Sequence, residues 1–132
     1  MKIVPGFPPN IEEIRRAFDI EGRQIVFAYG NFLYNPTGLI IPDHLMAHEE
    51  THERQQVALG SIDAWWRRYL HEPAFRLEQE IEAYREQYRY VKRNVKDRNA
   101  VARFLHAIAI DLAGPIYGNI TSYAEASSAI SK

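Results

Sequence analysis

The feature that most restricts what this chain can become is His48-Glu49-Glu50-Thr51-His52, set in a segment that reads as one helix from Asp43 to Leu59. Asp43 suits an N-cap and Gly60 a left-handed C-terminal stop, so local chemistry delimits the segment at both ends. At about 100° per residue, positions four apart lie only about 40° from one another around a helix. Both imidazoles therefore project from one face toward a common point. Leu45, His48, Glu49, His52, Gln56 and Leu59 share that side, while Glu50, Glu53 and Arg54 lie away from it. A single zinc ion fits the point where the rings converge. Glu49, on the neighbouring edge of the same face, is placed to take a proton from a water beside the ion.

Composition decides which other ligands such an ion could have. The 132 residues include no cysteine, which excludes a disulfide framework and a thiolate site and leaves His, Glu and Asp as the strong ligands. An apolar content of 46% supports one compact domain over residues 1–132. Sixteen basic and seventeen acidic side chains leave a formal charge of -1, giving no electrostatic case for nucleic acid or a membrane surface as partner. No stretch approaches the roughly 20 apolar residues of a membrane span, and the N-terminus has no signal-like apolar run. Cytoplasmic residence is the default expectation.

Prolines and a glycine in residues 4–9 predict an extended N-terminal arm over 1–9 lying across another element. Asn10 is placed to cap a packing helix carrying Ile11, Ile14, Ala17 and Phe18. The β-branched and aromatic residues between Gln24 and Tyr34 predict strand, interrupted by Gly30-Asn31. Asn35-Pro36-Thr37-Gly38 reads as a turn and Leu39-Ile40-Ile41 as a second strand, together making a small antiparallel sheet that leads into the motif helix. Ser61 caps a helix with an aromatic stripe of Trp65, Trp66 and Tyr69, read as core. Pro73 opens a long helix to about Val95, with Leu77, Ile81, Tyr84, Tyr88 and Val91 as its apolar stripe. Asp97 caps a further helix, apolar enough on its other sides to be largely buried. Gly114-Pro115 ends it, and Thr121 or Ser122 starts a last helix closing near Ile130.

A third zinc ligand must come from elsewhere in the chain. On the 73–95 helix Glu80 sits about 60° from the centre of the apolar stripe, Glu78 about 100° away and Glu82 on the far side. Only Glu80 turns toward the core, where an unpartnered carboxylate would be costly and a cation explains its position. The competing interpretation of Glu80 is a rim residue paired with an arginine. That of His48 and His52 is a pair satisfying each other and the acids Glu49 and Glu53. His44 lies about 60° off the shared face, and His71 and His106 are read as structural. Tyr84 and Tyr117 are read as core aromatics able to offer a hydrogen bond to an oxyanion.

The motif, its continuation Arg54-Gln55-Gln56, the run Trp65-Trp66-Arg67-Arg68-Tyr69-Leu70 and the stretch from Phe75 to Arg85 resemble small zincin-like proteins of phages and bacteria. The resemblance extends to Gly114-Pro115-Ile116-Tyr117-Gly118-Asn119 and so covers most of the chain after Gly22. In the wider gluzincin class the third ligand is a Glu on a later helix, in some members as Glu-x-x-Ala, a spacing that Glu80-Ile81-Glu82-Ala83 matches. Several of those peptidases have Asp after the alanine, where this chain has Tyr84. The resemblance implies an α+β, mostly helical minimal zincin-like domain whose edge strand holds an extended peptide.

The expectation is thus a zinc-dependent hydrolase, a metallopeptidase acting on a peptide or protein substrate. His48, His52 and Glu80 are its metal ligands and Glu49 its catalytic base. The alternatives are a non-catalytic structural or assembly protein, virion-associated within a phage particle, that keeps the fold and metal site, and a zinc hydrolase acting on an amide of a cell-wall peptide.

Overall fold

A computed structural model describes all residues, 1–132. Six helices and a small sheet make up the chain, as an α+β, mostly helical chain predicts: α1 Ile11–Ala17, α2 Asp43–Leu59, α3 Ile62–His71, α4 Pro73–Asn94, α5 Arg98–Leu112 and α6 Tyr123–Ser131. The strands are β1 Lys2–Val4, β2 Phe27–Tyr29 and β3 Phe32–Tyr34, in the order β1-β3-β2. A short 3-10 turn at Pro115–Tyr117 joins α5 to α6. No helix is long and apolar enough to cross a membrane.

The sheet is mixed, and its partners differ from the expected ones. β2 and β3 form an antiparallel hairpin turned by Gly30-Asn31, with Tyr29 opposite Phe32. Gly30 has φ +61°, which suits glycine at the first position of a two-residue hairpin loop. Leu39-Ile40-Ile41 is not a strand. Asn35 accepts a hydrogen bond from the Leu39 N–H at 3.0 Å and donates to the Leu39 carbonyl at 2.8 Å, so a side chain takes the ladder's place. The vacant side of β3 goes instead to β1, in parallel register with Ile3 opposite Leu33. The N-terminal arm is therefore partly a strand.

Capping follows the sequence unevenly. The Ser61, Asp97 and Ser122 side chains accept from the backbone N–H of Ala64, Asn99 and Glu125. Pro42 is the N-cap of α2, which makes Asp43 its first helical residue, while Gly60 closes the helix at φ +84°. Asn10 makes no cap bond, and its buried amide has no partner.

Two apolar clusters hold the chain together. One packs Ile14, Phe27, Trp65, Trp66, Tyr69, Leu70 and Phe75, bringing α1, the sheet, α3 and the start of α4 into contact. The other packs Tyr84, Ile108, Ala109, Leu112, Ala126 and Ile130 of α4, α5 and α6. Helix α5 is amphipathic rather than largely buried: Ile108, Ala109 and Leu112 face inward, while Ile110 is half exposed. Between the clusters, α2 crosses α4 in the most extensive helix pairing of the molecule.

Candidate metal centre

The seam between α2 and α4 is polar. The buried residues of α2 are His48, Glu49, Thr51, His52 and Gln56, with no aliphatic side chain among them. Leu59, expected on this face, is exposed near the helix end. Helix α4 adds Arg76, Glu80 and Gln87 to Phe75, Ala83, Tyr84 and Val91. Its expected stripe residues Leu77, Ile81 and Tyr88 are only partly buried and lie to one side, against the C-terminal cluster. Burying this many polar groups costs free energy unless each finds a partner, so their hydrogen bonds define what the seam can do.

His48, His52 and Glu80 meet at its centre, only 3–5 % exposed. The two Nε2 atoms are 3.2 Å apart, and Glu80 Oε1 lies 3.2 Å from that of His48 and 3.4 Å from that of His52. Ligands about 2.0–2.1 Å from a tetrahedral ion are separated from each other by about 3.3–3.4 Å, so the triangle has the size of one face of such a site.

The outer nitrogens decide what these atoms present to one another. Gln55 donates its amide N–H to the Gln79 carbonyl at 3.0 Å and to Glu82 at 2.9 Å, which fixes its oxygen toward His52 Nδ1 at 2.8 Å. That oxygen can only accept, so His52 carries a proton on Nδ1. The Gln87 oxygen lies 2.9 Å from His48 Nδ1, and its amide nitrogen donates to His44 Nδ1 at 3.0 Å. His48 is held in the same tautomer. Both Nε2 lone pairs then point at each other and at a carboxylate oxygen that is buried without a hydrogen-bond partner. A single added proton can serve one of these three contacts. A divalent cation serves all three, so the residues fit a metal.

Without an ion, the same groups bind a proton tightly. Burial alone lowers the His52 pKa, but the charge and hydrogen bonding of Glu80 outweigh it and raise the value to about 9. Burial pushes Glu80 up, while His52 and His48 more than reverse this and hold it below the usual carboxylate range. Glu80 Oε2 accepts from the Tyr69 hydroxyl at 2.5 Å, and burial followed by the Glu80 charge pushes that phenol up. Glu49 is buried beside the triad, and burial raises its pKa against the opposing pull of His48 and His52.

Glu49, His48, His52 and Glu80 all open on one cavity of about 110 Å³. Tyr117 reaches its wall, and its hydroxyl lies 2.8 Å from that of Tyr84. The Tyr84 ring in turn packs edge-on against His48 at 4.5 Å. His44 reaches the centre only through Gln87, while His71 is exposed and His106 pairs with Tyr123 on the surface. The edge of β2 is less free than expected: the Ala28 carbonyl accepts from Gln56 and Trp66, and the Gly30 N–H donates to Gln56.

Sequence reasoning gave Gln55, Gln87 and Arg76 no role at the centre and read Tyr69 as core alone. Arg76 is buried, donates to the Tyr69 and Tyr117 carbonyls at 2.6 and 3.0 Å, and so ties α3 and the 3-10 turn to the centre. A usable signal existed for two of them, because Arg76, Glu80 and Gln87 recur at helical spacing as polar residues on one side of α4.

No family model, curated protein or solved structure matches this chain.

Proposed function

We propose that the chain is a zinc-dependent hydrolase, in its most specific form a metallopeptidase. His48, His52 and Glu80 hold the ion and Glu49 is the general base. The observation that carries this reading is the convergence of two Nε2 lone pairs and an unpartnered carboxylate oxygen, with both tautomers tied from behind. Zinc held there supplies Lewis acidity toward a water and a carbonyl oxygen. Glu49, facing the same cavity, accepts the water's proton and returns it to the departing amine. Tyr69 keeps the second Glu80 oxygen occupied, leaving the first for the ion. Gln55 and Gln87 keep the imidazoles turned inward.

A second reading, a structural zinc site without turnover in an assembly component such as one of a phage particle, is favoured by how closed the centre is. None of its three ligands is more than 5 % exposed.

Zinc analysis of wild type, Glu49→Gln and His48→Ala, alongside hydrolysis of a peptide library, separates the two. The hydrolase loses turnover in Glu49→Gln while keeping zinc and fold. The structural site leaves Glu49→Gln silent and makes His48→Ala unstable. Wild-type protein prepared without chelators that carries no zinc and gains none on titration overturns both.

A further inference from the structure

The two imidazoles of the centre are both backed by a glutamine, but the two glutamines are not held alike. The Gln55 amide nitrogen faces the Gln79 carbonyl at 3.0 Å and Glu82 at 2.9 Å, groups that only accept. Turned over, Gln55 would set its oxygen against two acceptors, so it has one orientation. Gln87 has one partner besides His48: its oxygen lies 2.9 Å from His48 Nδ1 and its nitrogen 3.0 Å from His44 Nδ1. Both partners are imidazole nitrogens, and each can donate or accept according to where its ring carries the proton. The chain His44–Gln87–His48 can therefore satisfy its hydrogen bonds in two senses. In the sense described above, His48 Nδ1–H donates to Gln87, the Gln87 amide donates to a bare His44 Nδ1, and the His48 Nε2 lone pair is free. In the reverse sense His44 Nδ1–H donates to Gln87, which donates to His48 Nδ1, and the His48 proton sits on Nε2. That proton would point at His52 Nε2 and Glu80 Oε1, each 3.2 Å away, and close the place of an ion.

We infer that His44 is a positioning residue of the centre: its bare Nδ1 fixes the sense of the Gln87 amide and so decides whether His48 can hold a metal ion. This rests on the metal-binding part of the reading above and adds a residue that touches neither the ion nor the cavity. The surroundings of His44 suit the task. Its ring stands edge-on to Phe104 of α5, with centroids 4.9 Å apart and planes at 72°, so helix packing sets the ring's plane. Burial lowers its pKa from 6.5 against the opposing pull of Asp43, the charged neighbour on its own helix, which favours the neutral ring that an accepting Nδ1 requires. Gln87 itself is 5 % exposed, so no solvent water takes over the steering from His44. The two ligand histidines are thus unequal: the partners of Gln55 keep His52 ready unconditionally, and His48 is ready only while His44 accepts.

Variants at position 44 separate steering from packing, with zinc affinity of the full chain read by competition against a chelator. Asparagine carries an oxygen at the place of Nδ1 and can accept as His44 does, whereas leucine offers nothing there. His44→Asn should keep zinc affinity within about threefold, and His44→Leu should lower it about tenfold, the low end of what a group behind a ligand contributes. In a Gln87→Glu background the carboxylate accepts from His48 in either orientation and needs no steering, so His44→Leu should there cost less than about twofold. That non-additivity marks the relay, because a side chain that only packs would cost the same in both backgrounds. Nitrogen NMR of the wild type gives a reading that no folding defect can obscure: with zinc bound, His44 should carry its proton on Nε2 and none on Nδ1. A proton on His44 Nδ1 in the zinc-loaded protein, or equal losses in the two backgrounds, overturns the assignment and leaves the metal reading standing. Wild type that takes up no zinc overturns the metal reading and the role of His44 with it.

Discussion

The α2–α4 seam and the C-terminal cluster are both buried, and both lie along α4, but they are built on opposite terms. In the cluster, Leu112, Ala109 and Ile130 are at most 1 % exposed and have no polar duties, so burial translates into stability. In the seam, His48, His52, Glu80, Gln87 and Gln56 are equally hidden, and each must be matched by a specific partner. One helix face therefore carries apolar packing and the adjacent face carries the buried polar cluster. Changes in the cluster should move stability and leave metal binding alone, whereas changes in the seam should move metal binding as well as stability.

The largest expected effect belongs to the seam. Zinc at about a thousandfold above its Kd should stabilise the wild type by about 4 kcal/mol, and Glu80→Ala should gain nothing from it. Thermal unfolding with and without zinc measures this, and a wild-type midpoint indifferent to zinc breaks the comparison at its root. Next comes Leu112→Ala, which should cost about 3 kcal/mol in urea unfolding while preserving the zinc-dependent increment. Loss of that increment would mean that the two faces of α4 are not separable.

A smaller effect concerns the residues behind the ligands. Gln87→Leu removes the acceptor from His48 Nδ1 and should weaken zinc binding about 10- to 100-fold, and leaving that N–H unpaired should also cost about 1–3 kcal/mol of metal-free stability. Competition against a zinc chelator reads the affinity. Gln87→Glu, which restores an acceptor, should recover it; equal affinity in all three proteins removes Gln87 from the centre.

How much of this was legible differs along the same line. The bounds of α2, the caps at Ser61 and Asp97, and the inward placement of His48, His52 and Glu80 follow from spacing within single helices, which a sequence displays directly. The partnership of β1 with β3 was not legible, because it depends on which segment's backbone is left free to pair with the strand edge. The Asn35 side chain satisfies the Leu39 backbone in the segment that looked like the better candidate. Gln55 was invisible for a related reason, and Gln87 showed only its place on the polar side of α4. A glutamine on a helix reads as solvated until a tertiary contact aims its amide, and here the Gln79 carbonyl and His44 do the aiming. Of the stripe chosen on α4, Tyr84 and Val91 are buried, but Leu77, Ile81 and Tyr88 describe the cluster side, while Arg76, Glu80 and Gln87 lie deeper.

The gentlest test uses pH on the metal-free protein. His52 is raised from 6.5 to about 9 on folding, so its contribution is full below pH 6.5 and is lost as pH rises through 9. Glu80 is lowered, so its contribution is full above its ordinary value of 4.5 and is lost as pH falls toward its folded value. From these two groups metal-free stability is greatest between about pH 4.5 and 6.5, and His52 lowers it above that by no more than about 1.4 kcal/mol per pH unit, while Glu49, raised by burial, adds a decline that begins as pH passes its ordinary value of 4.5. Glu80→Gln should flatten the alkaline decline, and Leu112→Ala should lower the whole curve without changing its slope. Zinc reverses the sign, because the ion displaces the proton shared by His52 and Glu80, so zinc affinity should rise over the same interval in which metal-free stability falls. Opposite slopes for the two quantities assign one proton and one ion to the same three atoms. Parallel slopes would place the titrating group elsewhere.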